Sequence, residues 1–184
     1  DTPGLFDFEG GRAEGLRAAE SVIVVLSCGH NVDVGAEKTL RAAGRKGISK
    51  FIAVTKCDGE DRDFFKTLNS LKDKYGTAIC PVVIPYVVGG KVECYVNFLQ
   101  NKAFKYDNGK ATQVDMPSDA LIDDIHAAFT EAVASADDEL MMKFFDGEEF
   151  THDEIVAGLS QGVLDGTVIP VYACSGLTTD AVDL

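Results

Sequence analysis

Three short runs of consecutive apolar residues punctuate the chain: Ser21–Ser27 (SVIVVLS), Lys50–Thr55 (KFIAVT) and Thr167–Ala173 (TVIPVYA). Each is rich in β-branched residues, the pattern of a strand covered on both faces, and such strands belong to parallel sheets flanked by helices. Between the first two, Gly35–Lys46 (GAEKTLRAAGRK) has helical character and completes a strand–helix–strand unit, which is expected to cross over right-handed. Asp61–Tyr75 places Phe64, Leu68 and Leu71 on one helical face, with Gly76 to end it. This part of the chain is α/β.

From Thr77 the texture changes. Ala78–Tyr86 (AICPVVIPY), Lys91–Asn97 (KVECYVN) and Ala103–Tyr106 are separated by turn signals at Gly89–Gly90 and Asp107–Asn108–Gly109, which predicts antiparallel strands and tight turns. Pro81 and Pro85 put the first of these at a sheet edge or disrupt its ladder. A long helical region follows from Ser118, with Leu121, Ile125, Ala128, Phe129, Ala132 and Val133 as its apolar stripe. Thr151-His152-Asp153-Glu154 is a capping box that opens another helix. An apolar strand returns at Thr167, so the middle of the chain is expected to be a small α+β unit inserted into an α/β domain. The expected division is 1–75 for the first part of the core, 76–165 for the insert and 166–184 for the return to the core.

Charge refines this picture. The 184 residues carry 17 Lys+Arg against 30 Asp+Glu, a net −13. Asp115–Glu154 holds thirteen of the acids and a single Lys or Arg, Lys143, so that stretch carries −12 and the rest of the chain −1. The excess is local: a solvated helical face, or a surface that meets a protein rather than a phosphate backbone. DNA binding is not expected of it. No apolar run approaches a membrane span, so no membrane partner is expected. Cys28, Cys57, Cys80, Cys94 and Cys174 form no CxxC pair and are odd in number, which reads as reduced thiols in a cytoplasmic protein.

Three motifs stand in order where strands end or should end: Asp1-Thr2-Pro3-Gly4, Thr55-Lys56-Cys57-Asp58 and Cys174-Ser175-Gly176-Leu177. Ligands of open α/β sheets bind at such ends. The Asp58 carboxylate can accept the N1–H and the exocyclic amine of guanine, which adenine cannot offer, and a site built on such bonds rejects the analogue that lacks them. Lys56 can lay its aliphatic stem along the base and ribose. In this order the motifs resemble the third, fourth and fifth guanine-nucleotide motifs of GTPases. The chain as a whole resembles the G domain of the elongation factor G family, with Asp1–Phe8 and Gly11–Ala19 matching its third motif and switch helix. Val54–Asp58 matches its fourth motif. Gly76 to about Asp165 matches its inserted subdomain, including Asp137–Leu140 and Asp146–Thr151. Ser175 lies 117 positions after Asp58, far more than a minimal GTPase needs.

The resemblance implies a partial P-loop GTPase fold with an inserted α+β subdomain, belonging to a GTP-hydrolysing, ribosome-associated translation factor. It implies that Thr55, Lys56, Asp58, Ser175, Gly176 and Leu177 surround the guanine. Asp1 holds Mg²⁺ through a water and the Gly4 N–H faces the γ-phosphate. It further implies that the acidic insert meets a stalk protein of the large ribosomal subunit. Departures from the family pattern qualify this. Leu5 stands where translational GTPases carry the histidine that positions the attacking water, so no catalytic residue is expected here, and the parent is expected either to hydrolyse GTP slowly or to activate water with some other group. Thr55 replaces the usual asparagine, and Cys174-Ser175-Gly176 the usual Gly-Ser-Ala. No G-x-x-x-x-G-K-[ST] loop is present to cradle phosphates. The chain therefore reads as a fragment of a longer parent that binds GTP or GDP with Mg²⁺, while the fragment itself binds nucleotide weakly and is inactive. A strand at Ser21–Ser27 without its neighbour would be an open edge, covered either by self-association with a second copy or by residues of the parent outside this sequence. A protein-interaction module, a hydrolysis-impaired pseudo-GTPase and a ribosomal-protection relative are the alternatives.

Overall fold

The computed structural model describes residues 1–2, 4, 6–59, 62–107 and 109–184, with Phe6 by its backbone only. The strands are β1 (Ser21–Ser27), β2 (Ser49–Thr55), β3 (Ile79–Val88), β4 (Lys91–Asn97), β5 (Lys102–Asp107), β6 (Lys110–Val114) and β7 (Ile169–Ala173). The helices are α1 (Glu9–Ala18), α2 (Val34–Arg45), α3 (Phe64–Tyr75), α4 (Ala120–Ala134), α5 (Asp138–Asp146) and α6 (His152–Asp165). Among the described residues the strands form one seven-stranded sheet in the order β1-β2-β7-β3-β4-β5-β6. The pairs β1–β2, β2–β7 and β7–β3 are parallel, whereas β3–β4, β4–β5 and β5–β6 are antiparallel. The fold is therefore mixed α/β, and the sheet runs without a break from the parallel core into the antiparallel meander.

Two expectations are corrected. The run containing Pro81 and Pro85 is not an edge strand, nor is it purely antiparallel: β3 lies inside the sheet, with β7 parallel on one side and β4 antiparallel on the other. Its register with β7 shifts between Pro81 and Val83, so the missing proline N–H falls at a bulge, where a ladder bond is lost anyway. All seven residues from Ile79 to Pro85 are buried, and that burial outweighs the lost hydrogen bonds. Conversely, β1 is not covered on both faces. Val24 and Leu26 face the core, but Ile23 and Val25 remain 64% and 63% exposed.

Helix starts follow local chemistry. Asp33, Asp63, Asp119 and Asp137 each accept a backbone N–H from the first turn of the helix they precede. Thr151 and Glu154 form the complete capping box of α6. The last turn of α6 is closed by Lys50 on β2, whose ammonium donates to the Gly166 carbonyl at 3.3 Å, placing a cation at the negative end of the helix. α6 also lies unusually close to its neighbours. A Cβ on Gly162 would stand 2.4 Å from Val168 Cγ2 and 3.0 Å from the Ala136 Cβ, and one on Gly158 would stand 2.7 Å from Leu140 Cδ1. These glycines let the helix approach β7, α4 and α5.

Candidate functional site

The parallel pairing brings the C-terminal ends of β1, β2 and β7 level. Ser27 lies opposite Thr55, and Val54 opposite Ala173. The link continues one residue beyond each strand: Cys28 N–H donates to the Thr55 carbonyl and Cys174 N–H to the Val54 carbonyl, each at 2.9 Å. Cys57 N–H then donates to the Cys174 carbonyl at 3.3 Å. The loops after β2 and β7 are thereby joined, and the structure brings the second and third sequence motifs together.

In the first of these loops Lys56 adopts φ 64°, a left-handed conformation unusual for a lysine, which turns the chain out of the sheet. Lys56 and Asp58 are exposed on the turn, while Cys57 between them is buried. The Cys57 thiol donates to the Val54 carbonyl at 3.3 Å, and its hydrogen bond with Cys28, together with burial, pushes its pKa far up. Cys57 is thus a neutral packing side chain rather than a nucleophile.

In the second loop Ser175 is fully buried. Its N–H donates to the Asp180 carbonyl at 2.9 Å, and its Oγ accepts the Thr178 N–H at 3.3 Å. A closed turn results, with Gly176 exposed at its tip and Leu177 88% exposed. The Thr55 hydroxyl lies 3.9 Å from where a Gly176 Cβ would stand. The Thr55 side chain therefore stands beside the second loop.

A cavity of about 270 Å³ opens beside this loop pair. Its lining combines Asp58, Gly59 and Asp180 with Lys91, Glu93, Tyr95, Lys105 and Tyr106 from the meander. Motif reading found neither Tyr95 nor Asp180. Tyr95 lies 37 residues after Asp58 and reaches the loop only because β4 is next to β3, itself next to β7.

Asp1 and Gly4 lie elsewhere. Both line a groove of about 480 Å³ along β1 and the start of α2, together with Arg12, Asp33 and Gly35. The structure does not bring them into the cavity that Asp58 lines. Leu5, read as the replacement for a water-positioning histidine, lies outside the described residues. For the guanine end of a nucleotide the residues fit: an exposed carboxylate and lysine on one loop, and a self-bonded turn with an open glycine on the other. For Mg²⁺ they are incomplete. Among the described residues no three His, Cys, Asp or Glu side chains gather where they could hold a cation.

These features fit the G domain fold of the GTPase class, and comparison with known proteins agrees. The family model described as the elongation factor Tu GTP binding domain matches residues 1–184. The chain belongs to that family, as a divergent member of the elongation factor G type. It is 31% identical over 184 residues to an elongation factor G-like protein of Thermotoga maritima, covering all of this chain and 27% of that protein. A crystal structure of a Thermus thermophilus protein superposes with a TM-score of 0.84 at 30% identity, over 97% of this chain and 27% of the other. The chain thus spans about a quarter of the length of these relatives. Among the described residues no helix is long and apolar enough to cross a membrane.

Proposed function

We propose that this chain supplies the guanine-recognising part of a ribosome-associated, cytoplasmic translation factor similar to elongation factor G, in which GTP binding and hydrolysis are coupled to translocation. The observation that carries the reading is the backbone bond from Cys57 to Cys174, which holds Lys56 and Asp58 against the Ser175–Leu177 turn at the strand ends. Asp58 accepts the guanine N1–H and amine, Lys56 covers the base and ribose, and Thr55 and Ser175 hold the two loops. The backbone at Gly176 and Leu177 meets the guanine oxygen. Asp1 takes part in Mg²⁺ binding through a water and Gly4 faces the γ-phosphate, once a phosphate-binding loop stands beside β1. Residues 1–75 and 166–184 form the nucleotide domain, and residues 76–165 the inserted subdomain. The exposed acids of the insert are the surface offered to a ribosomal stalk protein.

Leu5 supplies no group to position water, and this favours slow hydrolysis by the whole protein. The 184 residues contain no phosphate-cradling loop, so on their own they bind GTP weakly and do not hydrolyse it. The decisive experiment is competition for a fluorescent GDP analogue bound to the whole protein. GDP and GTP are expected to displace it and ADP is not. Equal displacement by ADP, or no binding of the analogue at all, would defeat the guanine assignment.

A further inference from the structure

Among the described residues, the Tyr95 hydroxyl is a buried side-chain polar atom with no hydrogen-bond partner. The residue is only 2% exposed, and its ring packs edge-on against Tyr106 with centroids 5.7 Å apart. Tyr106 uses its own hydroxyl to donate to Asp183, so the two tyrosines differ: one is satisfied and one is not. An orphaned buried hydroxyl is destabilising, and phenylalanine would fill the same space without that cost. The hydroxyl therefore calls for a partner in some state of the protein.

The surroundings narrow the choice. Tyr95 lines the 270 Å³ cavity together with Asp58 and Asp180. Burial, with Cys57, Asp180 and Asp58 nearby, pushes the phenol pKa well up, so the hydroxyl keeps its proton and serves as a donor. Of the two carboxylates, Asp180 sits on a turn fixed by its carbonyl bond to Ser175 N–H. Asp58 is exposed on the turn that leaves the sheet at Lys56. The Tyr95 ring is held in the core, whereas the Asp58 side chain is exposed and free to choose its rotamer.

We infer that Tyr95 is a positioning residue for guanine recognition: its hydroxyl donates to the Asp58 carboxylate when guanine is bound. The inference rests on the guanine reading given above. A carboxylate offers about four lone-pair sites. Two would accept from guanine and one from Tyr95, which fixes the carboxylate plane at the angle the base requires. A side chain of the meander thereby tunes selectivity in the parallel core.

The test uses the whole protein with Tyr95→Phe, measuring affinity for GDP and for inosine diphosphate, which lacks the exocyclic amine. GDP affinity is expected to fall about tenfold, the size of a lost bond to a charged group. The preference for GDP over inosine diphosphate should narrow, while the melting temperature without nucleotide stays level or rises. A residue that was merely structural would lower stability and leave the preference unchanged. The same loss should persist in an Asp180→Asn background. Wild-type selectivity in the Tyr95→Phe protein, or a loss that vanishes with Asp180→Asn, overturns the inference alone. A wild-type protein that binds no GDP overturns the guanine reading and this inference together.

Discussion

Gly162 gives the sharpest test of how α6 is held against the sheet. Replacing a helical glycine with alanine ordinarily stabilises by about 1 kcal/mol, because the unfolded chain loses freedom. Here the added methyl would lie 2.4 Å and 2.9 Å from Val168 Cγ2 and Cβ and 3.0 Å from the Ala136 Cβ. Val168 is fully buried and β-branched, and rotating its χ1 does not move its Cβ. The helix must retreat instead. Retreat strains two bonds to the Gly162 carbonyl, from Val168 N–H at 2.9 Å and from the Thr167 hydroxyl at 3.2 Å. Overpacking against atoms that cannot yield costs about 3 kcal/mol, the upper end of its usual range. Set against the helix-propensity gain, the net loss is about 2 kcal/mol. With a urea m-value of about 2 kcal/mol/M, the unfolding midpoint followed by far-UV circular dichroism should drop by about 1 M. Gly11→Ala in α1 is the matched control, since nothing lies within 4 Å of its Cβ position. That variant should gain about 0.5–1 kcal/mol. A Gly162→Ala protein as stable as the parent would refute the close-approach argument.

Other expected outcomes are as direct. Glu154 accepts from Lys143, from the Thr151 N–H and from the Thr151 hydroxyl, which holds its pKa at about 2 against an ordinary value near 4.5. Its stabilising contribution is therefore complete above pH 4.5 and disappears as pH falls toward about 2; acid titration of Glu154→Gln should flatten that part of the stability curve. Ser175→Ala removes the acceptor for the Thr178 N–H and should cost about 1 kcal/mol, with faster hydrogen exchange at Thr178 as the local readout; unchanged exchange would count against the closed turn. The 184-residue chain should self-associate through the β1 edge, and Ile23→Lys should return it to a monomer in sedimentation velocity.

How far the fold could be read from sequence depended on how much each element buries. β1, β2 and β7 were legible because each is an unbroken apolar run, and α2, α3 and α6 because periodicity and capping residues agreed. β6 (KATQV) passed unremarked, and its burial explains why: four of its five residues are exposed, so it carries almost no hydrophobic pattern. α5 was equally faint, since among its residues only Leu140 is buried. For β3 the edge alternative failed, whereas the disrupted ladder is what the register shift beside Pro81 shows. At the candidate site, the two loops that carry Lys56, Asp58 and Ser175 were legible because each is contiguous in sequence and follows a strand end. Tyr95 was not, since its position follows only from the strand order β7-β3-β4.

That strand order also changes what the acidic stretch signifies. Of its thirteen acids, Asp119, Asp137 and Glu154 accept backbone N–H groups at the starts of α4, α5 and α6. Asp119 additionally accepts the Tyr86 hydroxyl at 2.9 Å, tying α4 to β3, and Glu154 pairs with Lys143, tying α6 to α5. These carboxylates hold the helices in place, and their charge is partly compensated by the groups they meet. The others, including Asp123, Asp124, Asp138, Glu148 and Glu149, stand exposed. A charge count treats both sets alike, yet they answer to different physics. The first sets where the helices begin; the second sets the field that a partner approaching the insert would feel. Substitutions meant to probe a docking surface therefore belong at the second set, where loss of binding cannot be confused with loss of a helix cap.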